Sequence, residues 1–126
     1  MTYLSSSKWT TAKSTKYCGR MYDSKFEASV AQELDFRKSA GEIESWEAQK
    51  TLDLVVNGYK IGTYRIDFVA YRKDGVTEYI EAKGWSTPLW KMKWAIFEAM
   101  MSEIPDVELR VIWQKTGSKL RKIKKL

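Results

Sequence analysis

A three-residue turn, Lys73-Asp74-Gly75, separates two strand-like arms, and its length constrains the fold more than any other feature of the chain. The first arm, Tyr64-Arg65-Ile66-Asp67-Phe68-Val69-Ala70-Tyr71-Arg72, and the second, Val76-Thr77-Glu78-Tyr79-Ile80-Glu81-Ala82-Lys83, are rich in aromatic and β-branched residues, which suit a pleated, half-buried surface. With Gly75 in the left-handed position, such a loop pairs Arg72 with Val76. Counting back along both arms sets Asp67 opposite Glu81. Directly opposed residues share a face with Cβ atoms about 4.5–5.5 Å apart, where like charges repel, so this pair makes physical sense with a cation between the carboxylates. Lys83 projects from the same face as Glu81. A two-residue Asp74-Gly75 turn would instead pair Asp67 with Ala82 and send Glu81 to the other face, leaving no site.

The rest of the composition narrows the chemistry. A chain of 126 residues suits one domain with one real core and leaves no room for a second catalytic domain. No apolar run approaches the roughly 20 residues that a membrane helix needs, and the Ser/Thr/Lys-rich N-terminus lacks the apolar stretch of a secretory signal. Cys18 is the single cysteine, which excludes an intrachain disulfide and a multi-cysteine zinc cluster and makes an intracellular protein the default. The absence of histidine removes Ser-His-Asp triads, His-metal motifs and the usual neutral-pH general base. Hydrolytic chemistry would then run on carboxylates, lysine and a hard, oxygen-preferring metal, magnesium or manganese.

Charge is segregated. Lys8, Lys13, Lys16 and Arg20 fall in a stretch without an acid, as do Lys115, Lys119, Arg121, Lys122, Lys124 and Lys125, whereas residues 21–114 hold 12 basic and 16 acidic side chains. This reads as a flexible basic N-terminal arm over residues 1–16, a core over 17–114 and a basic C-terminal tail over 115–126. Such arms either bind a polyanion, with those ten cations as the DNA-binding set, or serve solubility alone.

Along the core, Ser24 and Glu27 have capping-box spacing, and Phe26, Val30 and Leu34 form an apolar stripe, so a helix is expected from residue 24 or 25 to a stop at Gly41. Strands are expected at 43–46 and 51–56, a turn at Asn57-Gly58, and then the hairpin. Thr87-Pro88 reads as an N-cap followed by proline, opening a second helix to about Glu103. Its apolar rows, Leu89, Met92, Ile96, Met100 and Trp90, Trp94, Phe97, Met101, predict a buried helix or one that meets a partner subunit. Val107–Trp113 is a final strand. The order α-β-β-β-β-α-β is an α/β sandwich.

Glu27, Asp67, Glu81 and Lys83 therefore stand on a helix and two adjacent strands. This resembles the PD-(D/E)XK nuclease superfamily, with its helical acid, strand Asp and following (D/E)-x-K, and among its members the small phage-encoded Holliday-junction resolvases. The matching stretches are Tyr22-Asp23-Ser24-Lys25-Phe26-Glu27-Ala28, Ala40-Gly41-Glu42-Ile43, Glu47-Ala48-Gln49, Arg65-Ile66-Asp67-Phe68 and Glu81-Ala82-Lys83-Gly84, within a resemblance that spans residues 17–113. Ile66 departs from the proline of the signature. The resemblance implies a restriction-endonuclease-like core, a mixed β-sheet with a helix on either side, and a homodimer acting on branched DNA in the cytoplasm of a phage-infected bacterium. It also implies hydrolysis to 5′-phosphate and 3′-hydroxyl ends.

On this reading Asp67, Glu81 and the Ala82 carbonyl hold Mg2+, for which Mn2+ substitutes, and no small-molecule cofactor is needed. Lys83 positions or deprotonates water or donates to the phosphate, and Glu27 reaches a second metal or its waters. Gln49 orients a water or is structural, and Trp85 is a candidate for stacking on bases. Each residue also has a plainer reading: Glu27 as a capping-box residue on the Ser24 amide, Asp67 and Glu81 as exposed acids paired with Arg65 or Lys83, and Trp90 and Trp94 as packing. The alternatives to a junction resolvase are a transposon-end or restriction-type nuclease on the same core, or a non-catalytic nucleic-acid-binding module.

Overall fold

The computed structural model describes residues 14–115. Their order is β1 (Thr15–Tyr17), β2 (Arg20–Tyr22), α1 (Lys25–Ser39), β3 (Ile43–Val56), β4 (Tyr59–Arg72), β5 (Thr77–Lys83), α2 (Pro88–Met101) and β6 (Val107–Trp113). The main sheet runs β3-β4-β5-β6, antiparallel except for the parallel β5/β6 pair, which α2 connects. The architecture is α/β, with a mixed sheet and a helix on either side. Among the described residues no helix is long and apolar enough to cross a membrane.

Local chemistry explains most boundaries. Ser24 caps α1 by accepting from the Glu27 amide at 3.1 Å. At the other end Gly41 donates to the Lys38 carbonyl and Glu42 to that of Arg37, the paired bonds of a Schellman stop. Thr87 caps α2 through the Trp90 amide at 3.1 Å, with Pro88 in the first turn. Gly75 takes φ +94°, Arg72 donates to the Val76 carbonyl, and the ladder runs Tyr71↔Thr77, Ala70↔Glu78, Val69↔Tyr79, Phe68↔Ile80. The three-residue loop and its register are those expected.

Two expectations differ from the fold. The strands anticipated at 43–46 and 51–56 are one strand, β3, because pairing with β4 carries the weak strand formers Glu47-Ala48-Gln49-Lys50 through the gap. In addition, Thr15 and Lys16, read as the end of a flexible arm, lie in β1, where Cys18 and Gly19, both at positive φ, turn the chain back onto β2.

Each sheet face has its own core. On one, Ala28, Val30, Ala31 and Leu34 of α1 pack with Tyr22, Ile43, Phe68, Ala70 and Ile80; on the other, Trp90, Trp94 and Phe97 of α2 pack with Leu54, Tyr64, Ile66 and Val69. Trp90 and Trp94 are therefore packing residues, while Leu89 and Met92 remain 61 % exposed.

The long β3–β4 hairpin changes face in the middle. Tyr64 and Ile66 lie in the α2 core, yet Phe68 and Ala70, of the same parity, lie in the α1 core. The change falls where the ladder steps from Ala48↔Phe68 to Lys50↔Ile66 and skips Gln49 and Asp67, with Gln49 at φ +57°. The register is the same on both sides of this gap, so the local departure is the left-handed backbone of Gln49, opposite a candidate site residue.

Candidate active site

The β4/β5 ladder ends at Phe68↔Ile80, and Asp67 and Glu81 are the next residues on the two strands. The two carboxylates are near enough for the charge of Glu81 to act on Asp67, and each accepts from a backbone amide beside the other. The Asp67 Oδ2 accepts from the Ala82 amide at 2.9 Å, and Glu81 Oε1 accepts from the Asp67 amide at 3.4 Å. Glu81 is 4 % exposed and is not a surface acid. Arg65, the plainer partner considered for Asp67, instead pairs with Asp23 at 3.7 Å. Burial, followed by the charge of Glu81, pushes the Asp67 carboxyl up to about 7. Burial also raises that of Glu81.

Lys83 joins the pair, its Nζ 3.6 Å from Glu81 Oε2 and 4.7 Å from the Trp90 ring centroid. Trp90 Nε1 donates to the Tyr64 hydroxyl at 3.1 Å, and that hydroxyl donates to Glu81 Oε1 at 2.7 Å. Glu81, Lys83, Trp90 and Tyr64 thus form a closed ring of contacts. Sequence reasoning missed Tyr64, because strand parity counted from Asp67 places residue 64 on the opposite face; the irregularity at Gln49 and Asp67 reverses that.

Glu27, on α1, is 5 % exposed. Its Oε1 accepts from the Asp23 amide at 3.2 Å, one residue earlier than the Ser24 amide of a capping box, and its Oε2 is buried without a hydrogen-bond partner. Burial, then the negative charge of Asp67, raises its carboxyl to about 7. Glu27 is therefore close enough to Asp67 to feel it, and carries one idle oxygen.

The other candidates are placed as follows. The Gln49 amide is held by Arg20, which donates to its Oε1, and by the Met21 carbonyl, both at 3.2 Å. Lys16, Arg20 and Lys115 are exposed. Lys8, Lys13, Lys119, Arg121, Lys122, Lys124 and Lys125 lie outside the described residues. Ala82 offers its amide to Asp67.

Chemically, the centre is two neighbouring carboxylates, Glu81 buried and Asp67 half-buried, whose negative charge the surrounding protein offsets only in part. Among the described residues no group of three or more His, Cys, Asp or Glu side chains is arranged to hold a metal ion. The donors fit a hard divalent ion as a two-carboxylate set completed by backbone oxygen or water.

A cleft of about 740 Å³ lies beside this centre, lined by residues of the α1 N-terminus, among them Asp23 and Lys25, by Ala82 to Trp85, and by Thr87 and Gln114. A second cluster sits elsewhere on the sheet. Glu78, 2 % exposed, accepts both Arg37 NH groups at 3.0 and 2.8 Å and that of Arg110 at 3.3 Å. With its cations matched by Glu42, Asp74, Glu78 and Glu108, this cluster is a structural tie between α1, β5 and β6.

No curated protein and no solved structure matches the chain. A family model described as "Protein of unknown function (DUF1064)" matches residues 6–122, nearly the whole length, and the chain belongs to that family.

Proposed function

We propose that the protein is a magnesium-dependent, structure-selective DNA endonuclease that resolves four-way junctions as a homodimer. The observation that carries this reading is the buried Glu81 carboxylate accepting from the Asp67 amide, with the half-buried Asp67 carboxylate and Lys83 beside it. Buried like charges in contact are costly unless one is protonated or a cation joins them. A bound Mg2+ or Mn2+ would acidify a water and neutralise charge on the scissile phosphate.

The chain's own groups do the rest. Asp67 and Glu81 would hold the ion. The Lys83 ammonium, anchored by Glu81 and Trp90, offsets charge gathering on the phosphate oxygens. Glu27 Oε2 accepts a hydrogen bond from water at the edge of the centre. Water adds to phosphorus, the bond to the 3′-oxygen breaks, and that oxygen takes a proton, leaving 5′-phosphate and 3′-hydroxyl ends. Junction choice, the dimer and a cytoplasmic setting in a phage-infected bacterium rest on the superfamily resemblance; metal-dependent hydrolysis rests on the residues.

One observation favours a second reading, a non-catalytic nucleic-acid-binding module: no three-carboxylate metal cluster exists among the described residues. The test is incubation of end-labelled four-way junction, fork, nicked duplex and linear duplex with the full chain, with and without Mg2+. Metal-dependent cleavage of the junction in preference to the linear duplex is the expected result. Binding without cleavage in either Mg2+ or Mn2+ would leave the binding module, and sequence-specific cleavage of linear duplex would favour a transposon-end or restriction-type enzyme.

A further inference from the structure

Trp85 stands in the segment Gly84-Trp85-Ser86 between Lys83 and the cap of α2, on the wall of the cleft beside the carboxylates. It is 74 % exposed, whereas the other tryptophans of the described chain are buried or half-buried. The segment is tied at both ends: the Gln114 amide donates to the Lys83 carbonyl at 2.8 Å, and Thr87 caps the helix that follows. A Cβ on Gly84 would come within 3.3 Å of the Gln114 side chain, so this end of the cleft is closely packed. Exposure by itself marks nothing, since Phe36 is equally exposed, and what distinguishes Trp85 is its place on the wall of a cleft that two lysines share.

The charges in the same cleft indicate the class of occupant. Lys83 lines it, and so does Lys25, at the first position of α1, where a cation opposes the helix dipole and has no ion-pair partner among the described residues. An anion in the cleft would pair with Lys25 and add to the contacts that Lys83 already makes with Glu81 and Trp90. The one acid on the wall, Asp23, is engaged by Arg65. An aromatic face beside two cations suits a nucleotide, with the base on the indole and the phosphate on the lysines. Paired bases within a duplex present edges, not faces, so only an unstacked base fits.

We infer that the cleft binds an unpaired nucleotide, with its base stacked on Trp85 and its phosphate between Lys25 and Lys83. The inference deepens the proposed function and rests on its nucleic-acid reading: the site would favour strand ends, flaps and branch points, where bases are free to leave the stack.

The test is carried out in EDTA, so that binding is read without hydrolysis. Fluorescence anisotropy measures affinity of the full chain, Trp85→Ala and Trp85→Phe for labelled oligothymidine and for a duplex of equal length. Trp85→Ala should weaken single-strand binding by between about fivefold and about a hundredfold, the range for one base–aromatic stack, and change duplex binding by less than about twofold. Trp85→Phe should recover most of the loss. A 2-aminopurine base in the single strand should be quenched by the wild type and much less by Trp85→Ala. Thermal melting should be unchanged in both variants, because the side chain is exposed.

Equal loss for both ligands, loss for neither, or a wild type that does not bind single strands would overturn the inference. So would a dimer that dissociates in Trp85→Ala with single-strand affinity unchanged, which would mean that a second copy covers the indole. Selective single-strand binding without any metal-dependent cleavage would sink the nuclease reading alone, and junction cleavage with an inert Trp85 would sink this inference alone.

Discussion

The Lys83 ammonium sits over the indole of Trp90, 4.7 Å from the ring centroid, while its other neighbour is the Glu81 carboxylate at 3.6 Å. Trp90 is thus both core and support. Trp90→Phe keeps an aromatic face under Lys83 but loses the N–H to Tyr64; Trp90→Leu loses both. A cation over a ring contributes about 0.5–2 kcal/mol. Junction cleavage should therefore fall roughly tenfold further in Trp90→Leu than in Trp90→Phe, in kcat and not in KM. Denaturant melts of both variants correct for the lost packing, expected to cost about 1–4 kcal/mol. Equal kcat values would make Trp90 structural only.

Asp67→Asn and Glu81→Gln remove charge and preserve shape, and the amide introduced by Glu81→Gln would still present an oxygen to Tyr64. Cleavage should fall by orders of magnitude as metal-based stabilisation of the transition state is lost. Junction binding should survive or tighten, since fewer negative groups face the phosphates. Gel-shift and cleavage assays on the same preparation separate the two quantities, and proportional loss of both would indicate misfolding.

The contribution of Asp67 and Glu27 to stability should run with pH in the direction opposite to that of Glu78, whose carboxyl Arg37 holds below its usual range. Asp67 and Glu27 are raised to about 7 in the folded chain, above the roughly 4 of an unfolded carboxyl. Between those values the folded state holds more protons than the unfolded one. These groups therefore contribute stability that is fully present below about pH 4 and lost as the pH rises towards about 7. Millimolar Mg2+ should restore stability at pH 7, because it favours the ionised pair. Melting temperatures across pH 4–8, with Mg2+ and with EDTA, check both signs, and Asp67→Asn should weaken both effects.

Arg37→Leu tests the structural tie. It leaves Glu78, 2 % exposed, with only the partial cover of Arg110 and Arg72. Removing one partner of a buried pair costs about 3–5 kcal/mol, and the remaining arginines place this case at the low end. Urea unfolding should show that loss with the slope m unchanged. A shift within experimental error would mean that Arg110 and Arg72 satisfy Glu78 by themselves.

Deleting residues 115–126 removes six cations from the full chain. If half of them neutralise phosphates, the plot of log K against log salt for junction DNA should become shallower by roughly 3. The deletion starts beyond β6, so melting should change little. An unchanged slope and affinity would assign the tail to solubility.

Much of the fold was legible because its signals are local. Ser24 and Thr87 as caps, Gly41 as a stop, Asn57-Gly58 as a turn and the Val107–Trp113 strand each follow from a few adjacent residues. So did the hairpin register as far as Phe68↔Ile80, since a loop length and a period of two suffice to set it. The ion pair of Glu81 with Lys83, two positions on and of the same strand parity, was therefore readable in the chain itself.

Tertiary structure decided the rest, for reasons that no window of sequence contains. Glu47–Lys50 became strand because β4 lies alongside them. Tyr64 reached Glu81 because the skipped pair at Gln49 and Asp67 turns the hairpin over, an effect absent from strand parity. Arg37 found Glu78 across 41 positions of chain. Burial by both cores, which the linear chain does not specify, lifts Glu27 and Asp67 towards neutrality. Composition supplied the acids and the lysine; packing around them determined how much their charge costs and left Trp85, alone among the described tryptophans, facing water.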